Sequence, residues 1–382
     1  SDLGLARRPD FGTVTLFGTP APEKFWDLNQ ARDHFSDNQQ WGVSGRLDYE
    51  FDLLDFVAIV SYRDVQADFT TDQGEGPVDF ILGTIGAESE TFSAELQLKS
   101  NNESWLDWIA GFYYFDNTAG TFPFMLSGPG FTGSTVGAPG GPFSVLDRTN
   151  VQDTQSYSVF GEGVIHLGDK TRLTLGARYT IDQRDFTSDT TFIQVGTDAL
   201  IPTPTVNLDE DFKEPSWRVV LDHRVWEDVL VYASYGRGFK SGIFNLFSPA
   251  GDPVEAETLD AYEVGFKSEW FGNTFRLNGA AFYYEYEDLQ LTTQSEGQSV
   301  LTNAAEAETM GVEFEAIAAL GEHFEFNANI SLTDTEFKDF PGAELTESNP
   351  ILAPCPAGPP FPNPNCVSFG NAAGNELPRA PE

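Results

Sequence analysis

The run GRGFKSG at residues 236–242 is the first stretch whose residue types could do chemistry, because closely spaced glycines with a lysine are what a phosphate-cradling loop uses. Such a loop needs a helix whose N-terminus points at the phosphate. Here the chain continues IFNLFSPAGDP, with Pro249 and Pro253, so no helix is expected and the phosphate reading falls. His34, His166, His223 and His323 are scattered singly and read as surface or turn residues, and no Ser/His/Asp set can be nominated from spacing. Asp209 and Asp211 lack the spaced ligands and glycine of a calcium loop. Cys355 and Cys366, the only cysteines, have ten residues between them in a Pro-rich segment. An even pair there reads as a disulfide made in an oxidising compartment, with two free thiols as the alternative. No catalytic set, metal site or cofactor is implied.

Charge removes another class. The chain has 59 acidic and 21 basic residues among 382, a formal charge of -38, and cannot neutralise phosphates along a nucleic acid. The plain meaning of the acidity is a well-solvated surface with acidic loops.

The elements that must position any functional residue are strands. From Trp226 to Leu291 apolar and polar residues alternate in runs of ten or more, the period of two of a strand with one apolar and one wet face. In TRLTLGARYTID, Leu173, Leu175, Ala177, Tyr179 and Ile181 sort against Arg172, Thr174, Gly176, Arg178, Thr180 and Asp182. FEFNANISLT sorts Phe324, Phe326, Ala328, Ile330 and Leu332 against Glu325, Asn327, Asn329, Ser331 and Thr333. The spacing predicts about twelve strands over 41–337. Residues 1–40 and 338–382 read as long loops, placed extracellularly by the family resemblance below, and wide loops are expected at 71–86, 118–152, 187–211 and 294–305. No change of pattern divides the middle, so the strands form one all-β domain.

Short and long connections alternate along the chain. In an antiparallel up-and-down order that gathers tight turns at one end and wide loops at the other, the asymmetry of outer-membrane barrels. No apolar run of about 18 residues exists to cross a bilayer as a helix, but barrel strands of about ten residues need only alternate positions apolar. A barrel of twelve or more strands encloses a lumen too wide to fill with side chains. The polar face, with Arg172, Arg178, Glu263, Lys267 and Arg276, suits a hydrated interior, and the apolar face suits lipid. Phe112, Tyr113, Tyr114 and Phe115, then Phe282, Tyr283, Tyr284 and Tyr286, precede wide loops where an outer aromatic girdle is expected.

The segments VYASYGRGFKSGIFN, ETLDAYEVGFKSEW, NTFRLNGAAFYYEYEDLQL, SVFGEGVIHLGDKTRLTLGARYTIDQRDF, AETMGVEFEA and GNELPRAPE resemble the barrel of TonB-dependent receptors of the outer membrane, the iron-complex or siderophore type in particular. The resemblance covers roughly 41–337 and the last residues. It implies a 22-stranded barrel preceded by a plug domain, with ligand binding outside exposing a plug segment to TonB. No plug sequence is recognised, so the chain is expected to be an internal part of such a barrel, a monomer when complete, in contact with lipid and lipopolysaccharide.

On that resemblance the ligand, most often a ferric siderophore, is expected to meet Arg237, Phe239, Lys240, Phe244 and Asn245 in the loop after the GRGFK strand. Cations there would draw an anionic chelate and rings could stack on it. Those cations could instead bind lipopolysaccharide phosphate or balance an acidic lumen. A passive pore or adhesin barrel, and a soluble carbohydrate-active β protein, are the other readings. A propeller of the latter kind needs a repeat near 40–45 residues, which is not seen.

Overall fold

The computed structural model describes residues 34–72, 82–101, 104–127, 143–194, 197–245, 253–295, 298–321, 323–348 and 365–377. Its strands are β1 (Ser36–Glu50), β2 (Leu54–Asp72), β3 (Leu82–Ser100), β4 (Leu106–Ser127), β5 (Phe143–His166), β6 (Thr171–Gln194), β7 (Leu200–Pro202), β8 (Val206–Trp226), β9 (Val229–Lys240), β10 (Glu257–Trp270), β11 (Phe275–Ser295), β12 (Gln298–Leu320), β13 (Phe324–Asp339), β14 (Pro341–Ser348) and β15 (Asn365–Asn371). Twelve of them, β1 to β6 and β8 to β13, form one antiparallel sheet in which every strand pairs with its neighbours in sequence. The short β7 pairs with β6, and β14 with β15 makes a separate hairpin. The sheet does not close on itself among the described residues; β1 and β13 are its edges.

Tight turns join β1–β2, β3–β4, β5–β6, β8–β9, β10–β11 and β12–β13, all at one end of the sheet, called the lower end here. The β10–β11 turn is built from three successive residues at positive φ, Phe271 (55°), Gly272 (67°) and Asn273 (67°), and leaves the Phe271 ring 81 % exposed. Glycine and asparagine take that backbone readily, and the phenylalanine there is strained.

The two faces sort as the alternation requires. One apolar row runs Leu96, Phe112, Val159, Tyr179 across adjacent strands, and another runs Ala233, Val264, Ala281, Val312, Leu332. These side chains are not packed into a protein interior: Leu96, Val159, Leu175, Val264, Phe326 and Leu332 all lie on the surface. Lys267, Asn278, Glu315 and Asn329 make a row of the opposite face.

Several expected loops are strand instead. Strand β1 starts at Ser36, β4 continues to Ser127, β5 begins at Phe143, and β6 and β8 flank only 195–205. β11 and β12 meet across residues 296–297, and 338–382, read as loop, contains the β14–β15 hairpin. The upper parts of these strands carry Asp, Thr, Asn and Gln on both faces, so hydrophobic period vanishes while backbone pairing continues. The aromatic clusters are likewise divided by the pleat. Phe112, Tyr114 and Tyr283 lie on the apolar face, Tyr113, Phe115, Phe282, Tyr284 and Tyr286 on the polar one, and the strands run on well beyond them. The β14–β15 hairpin and the segment after it fold against upper β11 to β13, where Phe340, Ala343 and Ala372 join Leu289, Ala305, Ala307 and Phe337 in a buried cluster. Cys355 lies outside the described residues, and with it the expected Cys355–Cys366 pairing.

Glycine admits a close cross-strand approach at Gly111, where an added Cβ would fall inside 3.0 Å of both the Phe160 ring and the Leu96 carbonyl. Replacing Gly111 by valine should cost about 1–3 kcal/mol through overpacking. The check is the urea midpoint for unfolding of the protein in detergent, with Gly161→Ala, where only one atom comes within 4 Å, as a near-neutral control.

Candidate functional site

Arg172, Arg178, Glu263, Lys267 and Arg276 all fall on the polar face, each held by that face's own groups. Arg178 is the most enclosed in aromatic surroundings: its guanidinium lies 5.3 Å from the Tyr113 ring centre and 5.7 Å from that of Phe160. It donates to Ser158 Oγ at 2.7 Å and to Thr180 Oγ1 at 3.2 Å. Arg172 pairs with Asp222 at 2.9 Å, and Arg218 grips Glu162 through two bonds of 2.6 and 2.8 Å. Lys267 lies 5.9 Å from the Tyr232 ring, whose hydroxyl donates to Glu263. Near the lower turns Lys267 and Arg276 line one cleft of about 390 Å³ with Arg224 and Glu269.

The five residues expected as one ligand-contacting loop are not one constellation. β9 continues through Lys240, so Arg237, Phe239 and Lys240 are strand residues and the pleat splits them. Arg237 and Phe239 share the apolar-face parity of Tyr235, while Lys240 takes the other face, 3.9 Å from Glu257. Arg237 lies 5.9 Å from the Trp217 ring centre, pairs with Asp260 at 2.7 Å and reaches Glu287 at 3.3 Å. Tyr235 donates to the same Asp260 at 2.8 Å.

Phe244 and Asn245 go elsewhere. After Lys240 the chain bends over the polar face, held by a two-way backbone bridge of 2.9 Å between Ile243 and Val254. Phe244 is 2 % exposed and stacks on Phe186 of β6 at 5.5 Å, and Asn245 Nδ2 donates to the Leu301 carbonyl of β12 at 3.4 Å. Gly242 is required for this path, since a Cβ would collide with the Phe212 ring and the Val254 carbonyl. The base of this strap is clipped by Gln290, which donates to the carbonyls of Ser241 (3.0 Å) and Glu255 (2.9 Å). Asn303 adds bonds to Glu255 and to the carbonyl of Asp288, whose φ of 56° marks the bulge that frees Gln290 for this role.

The strap packs on Phe186 of β6 and Phe212 of β8, on the face that also carries Asp182 and Arg184 of β6 and Arg148 of β5, a largely buried group that spacing alone did not single out. The signal was present in YTIDQRDF, whose even-numbered residues continue the Arg178 face. Arg184 lies 5.9 Å from the Phe212 ring centre, and Arg148 Nε donates to Thr190 at 3.0 Å. Burial pushes both guanidiniums below their ordinary value, with Asp182 opposing the effect at Arg184. The histidines stay single: His166 meets Asp107 at 2.7 Å and His223 meets Thr171 at 2.8 Å, both at the lower end. Asp211 pairs with Lys213 at 3.2 Å, and no cluster of three metal-ligating side chains occurs among the described residues.

The family model for the TonB dependent receptor-like β-barrel matches residues 2–382. This chain belongs to the TonB-dependent receptor β-barrel family. The pesticin receptors of Yersinia enterocolitica and Yersinia pestis are each 30 % identical to it over 128 residues, which is 33 % of this chain and 18 % of theirs. Among solved structures, the ferric yersiniabactin uptake receptor FyuA from Yersinia pestis superposes with a TM-score of 0.63 at 20 % identity, covering 80 % of this chain and 43 % of that one. The siderophore receptor PiuA from Acinetobacter baumannii gives 0.60 at 16 % identity, covering 82 % and 49 %. These likenesses fix the fold, and the chain spans less than half the length of either receptor. The relatives of this TonB-dependent receptor barrel are receptors and transporters rather than enzymes.

Replacing Arg178 by alanine removes two ring contacts and two hydrogen bonds and should destabilise by about 1–3 kcal/mol, with lysine recovering little because it lacks the planar fork. The check is the urea midpoint of each variant against the parent.

Proposed function

We propose that this chain forms part of the wall of an outer-membrane receptor that takes up a scarce, bulky chelate, a ferric siderophore, with energy delivered by TonB through a plug domain. The observation that carries the reading is the sidedness of the sheet. On the apolar face an aromatic band crosses it at one height, through Tyr62, Phe92, Tyr114, Tyr157, Tyr179, Trp217, Tyr235, Tyr262 and Tyr283, with stacked or tilted ring pairs such as Tyr235–Tyr262 at 4.9 Å. Near the turns a second band includes Tyr49, Trp105, Trp226, Trp270 and Phe271, all on the surface.

Dimensions agree with a bilayer. From Tyr262 to Trp270 is eight residues; at about 3.3 Å each and a tilt near 40° that is roughly 20 Å along the membrane normal, close to the apolar band of known barrels. Strands such as β5 and β6, at 24 residues, are about twice the length a crossing needs. Their upper halves therefore stand above the membrane. Consistent with that, Asp64, Glu90, Thr118, Asp153, Asp185 and Asp209 form one cross-strand row above the aromatic band, a density of like charge that suits water rather than lipid.

In this reading the polar face is the lumen wall, Arg172, Arg178, Glu263, Lys267 and Arg276 line it, and the strap with Lys240, Phe244 and Asn245 lies at the mouth. Arg237 and Phe239 face outward at the upper interface, where lipid and lipopolysaccharide are the neighbours. The likeness to the ferric yersiniabactin uptake receptor FyuA and the siderophore receptor PiuA supports an iron chelate as cargo.

The full-length gene, expressed in a receptor-deleted strain, should give uptake of radioactive iron from ferric yersiniabactin or a ferric catecholate that disappears when TonB is removed. Uptake independent of TonB, with free passage of sugars, would instead mark a passive pore. Face assignment is tested by a pair of arginines: Val264→Arg should weaken folding into liposomes by about 2–4 kcal/mol, whereas Ser234→Arg, opposite Glu263 on the lumen side, should be tolerated.

A further inference from the structure

The lower part of the polar face holds two neighbouring cations that the wall itself does not neutralise. Other cations of that face are matched: Arg172 by Asp222, Arg218 by Glu162, Lys240 by Glu257 and Arg276 by Glu269. Arg224 and Lys267 are exposed, and neither makes an ion pair with a described residue. Both lie opposite Leu230, one on each side of β9, so their Cα atoms are about 10 Å apart and their side chains can meet over it. They line the cleft of about 390 Å³ near the turns, with Asn278 and the Arg276–Glu269 pair beside them.

The surroundings narrow what pairs them. On the receptor reading a plug domain fills the lumen below the mouth, and a cation covered in that way costs heavily unless a counter-charge covers it. The occupant facing Arg224 and Lys267 therefore has to bring an anionic group. A small free anion is disfavoured, because Glu227, Asp228 and Glu269 line the same cleft and its three cations and three carboxylates balance. Directly above, a cleft of about 560 Å³ shares Lys267 and Asn278 and is lined by Glu313 and Glu315, which an anion descending from the mouth would have to pass. A polypeptide suits both facts. Its fold delivers the carboxylate to the cations, and backbone groups beside it can meet Asn278 and the rim carboxylates.

We infer that Arg224 and Lys267 are the wall half of an anchor whose other half is an aspartate or glutamate of the plug domain, seated between the β8–β9 and β10–β11 turns. The two turns are tied at that point, Glu269 N donating to the Asp228 carbonyl at 2.9 Å, so the seat is built on paired backbone. The Tyr232 ring lies across Gly265, where an added Cβ would collide with it, and backs the Lys267 ammonium from above at 5.9 Å. This rests on the receptor reading and adds to it the place, the height and the sign of charge by which the plug is held.

The test uses the full-length receptor in outer-membrane fragments treated with a water-soluble carbodiimide. The reagent activates a carboxylate, and an amine in contact with it displaces the activating group, leaving an amide and a urea. Digestion and mass spectrometry should find Lys267 joined to an aspartate or glutamate outside these 382 residues. Lys267 joined only to carboxylates of the wall such as Glu269, to a second protein, or to nothing overturns the inference. Independently, Asn278→Cys should react with maleimide about tenfold or more faster when Lys267→Glu repels the seated carboxylate, while Lys267→Arg retains the slow rate. Equal rates in all three backgrounds overturn it, and so does a slow rate that appears only when inorganic phosphate is added, the mark of a free-anion site. TonB-dependent uptake of ferric yersiniabactin by cells making the same protein reports on the receptor reading alone. Uptake without the cross-link removes the anchor and leaves that reading intact, and the cross-link decides for or against the anchor whether or not uptake is seen.

Discussion

Backbone hydrogen bonding is the constraint on which everything else in this chain depends. In a hydrocarbon layer an unpaired N–H or C=O has no water to turn to, so a strand can cross only if both of its edges are taken. The antiparallel meander meets that demand for every strand between its two edge strands, β1 and β13, with registers that run unbroken for 19 residues between β2 and β3. Once the backbone is paired, side chains are free to differ on the two faces, and the pleat does the sorting. Lipid-compatible and water-compatible surfaces then follow from nothing more than odd and even positions.

The same pleat explains where sequence reading succeeded and where it stopped. The β-barrel class, the strand count of the main sheet and the common face of Arg172, Arg178, Glu263, Lys267 and Arg276 were all legible, because within the apolar band the period of two is strict. Above that band it fades. Segments such as VNLDEDFKE in β8 and RTNVQDTQ in β5 carry polar residues on both faces, some of them buried as Arg148 and Asn150 are, so pairing continues where the hydrophobic signal has ended. For the same reason Arg237, Phe239 and Lys240 looked like one loop: adjacent in the chain, they are parted by alternation.

The strap illustrates what a linear reading has no access to. Phe244 is 58 residues from Phe186 in the chain, and only the return of β8 and β9 brings them together. Gly242 carried a readable hint, a glycine just past the strand end, but its meaning depends on the Phe212 ring that fills the space a side chain would need. The Gln290 clip depends in turn on a bulge at Asp288 that shifts the β11–β12 register. The buried group under the strap therefore comes from three strands, β5, β6 and β8, and each of its residues is an ordinary polar or aromatic strand residue in isolation.

The account stands or falls on the orientation of the two faces in a bilayer. Spin labels placed one at a time along β13 of the full-length receptor in liposomes measure it directly, by relaxation with oxygen, which concentrates in lipid, and with a water-soluble nickel chelate. Labels at Phe326, Ala328, Ile330 and Leu332 should relax with oxygen and those at Asn327, Asn329 and Ser331 should not, in strict alternation. A flat profile, or nickel access at Phe326 and Ile330 equal to that at Asn327, would contradict a membrane wall.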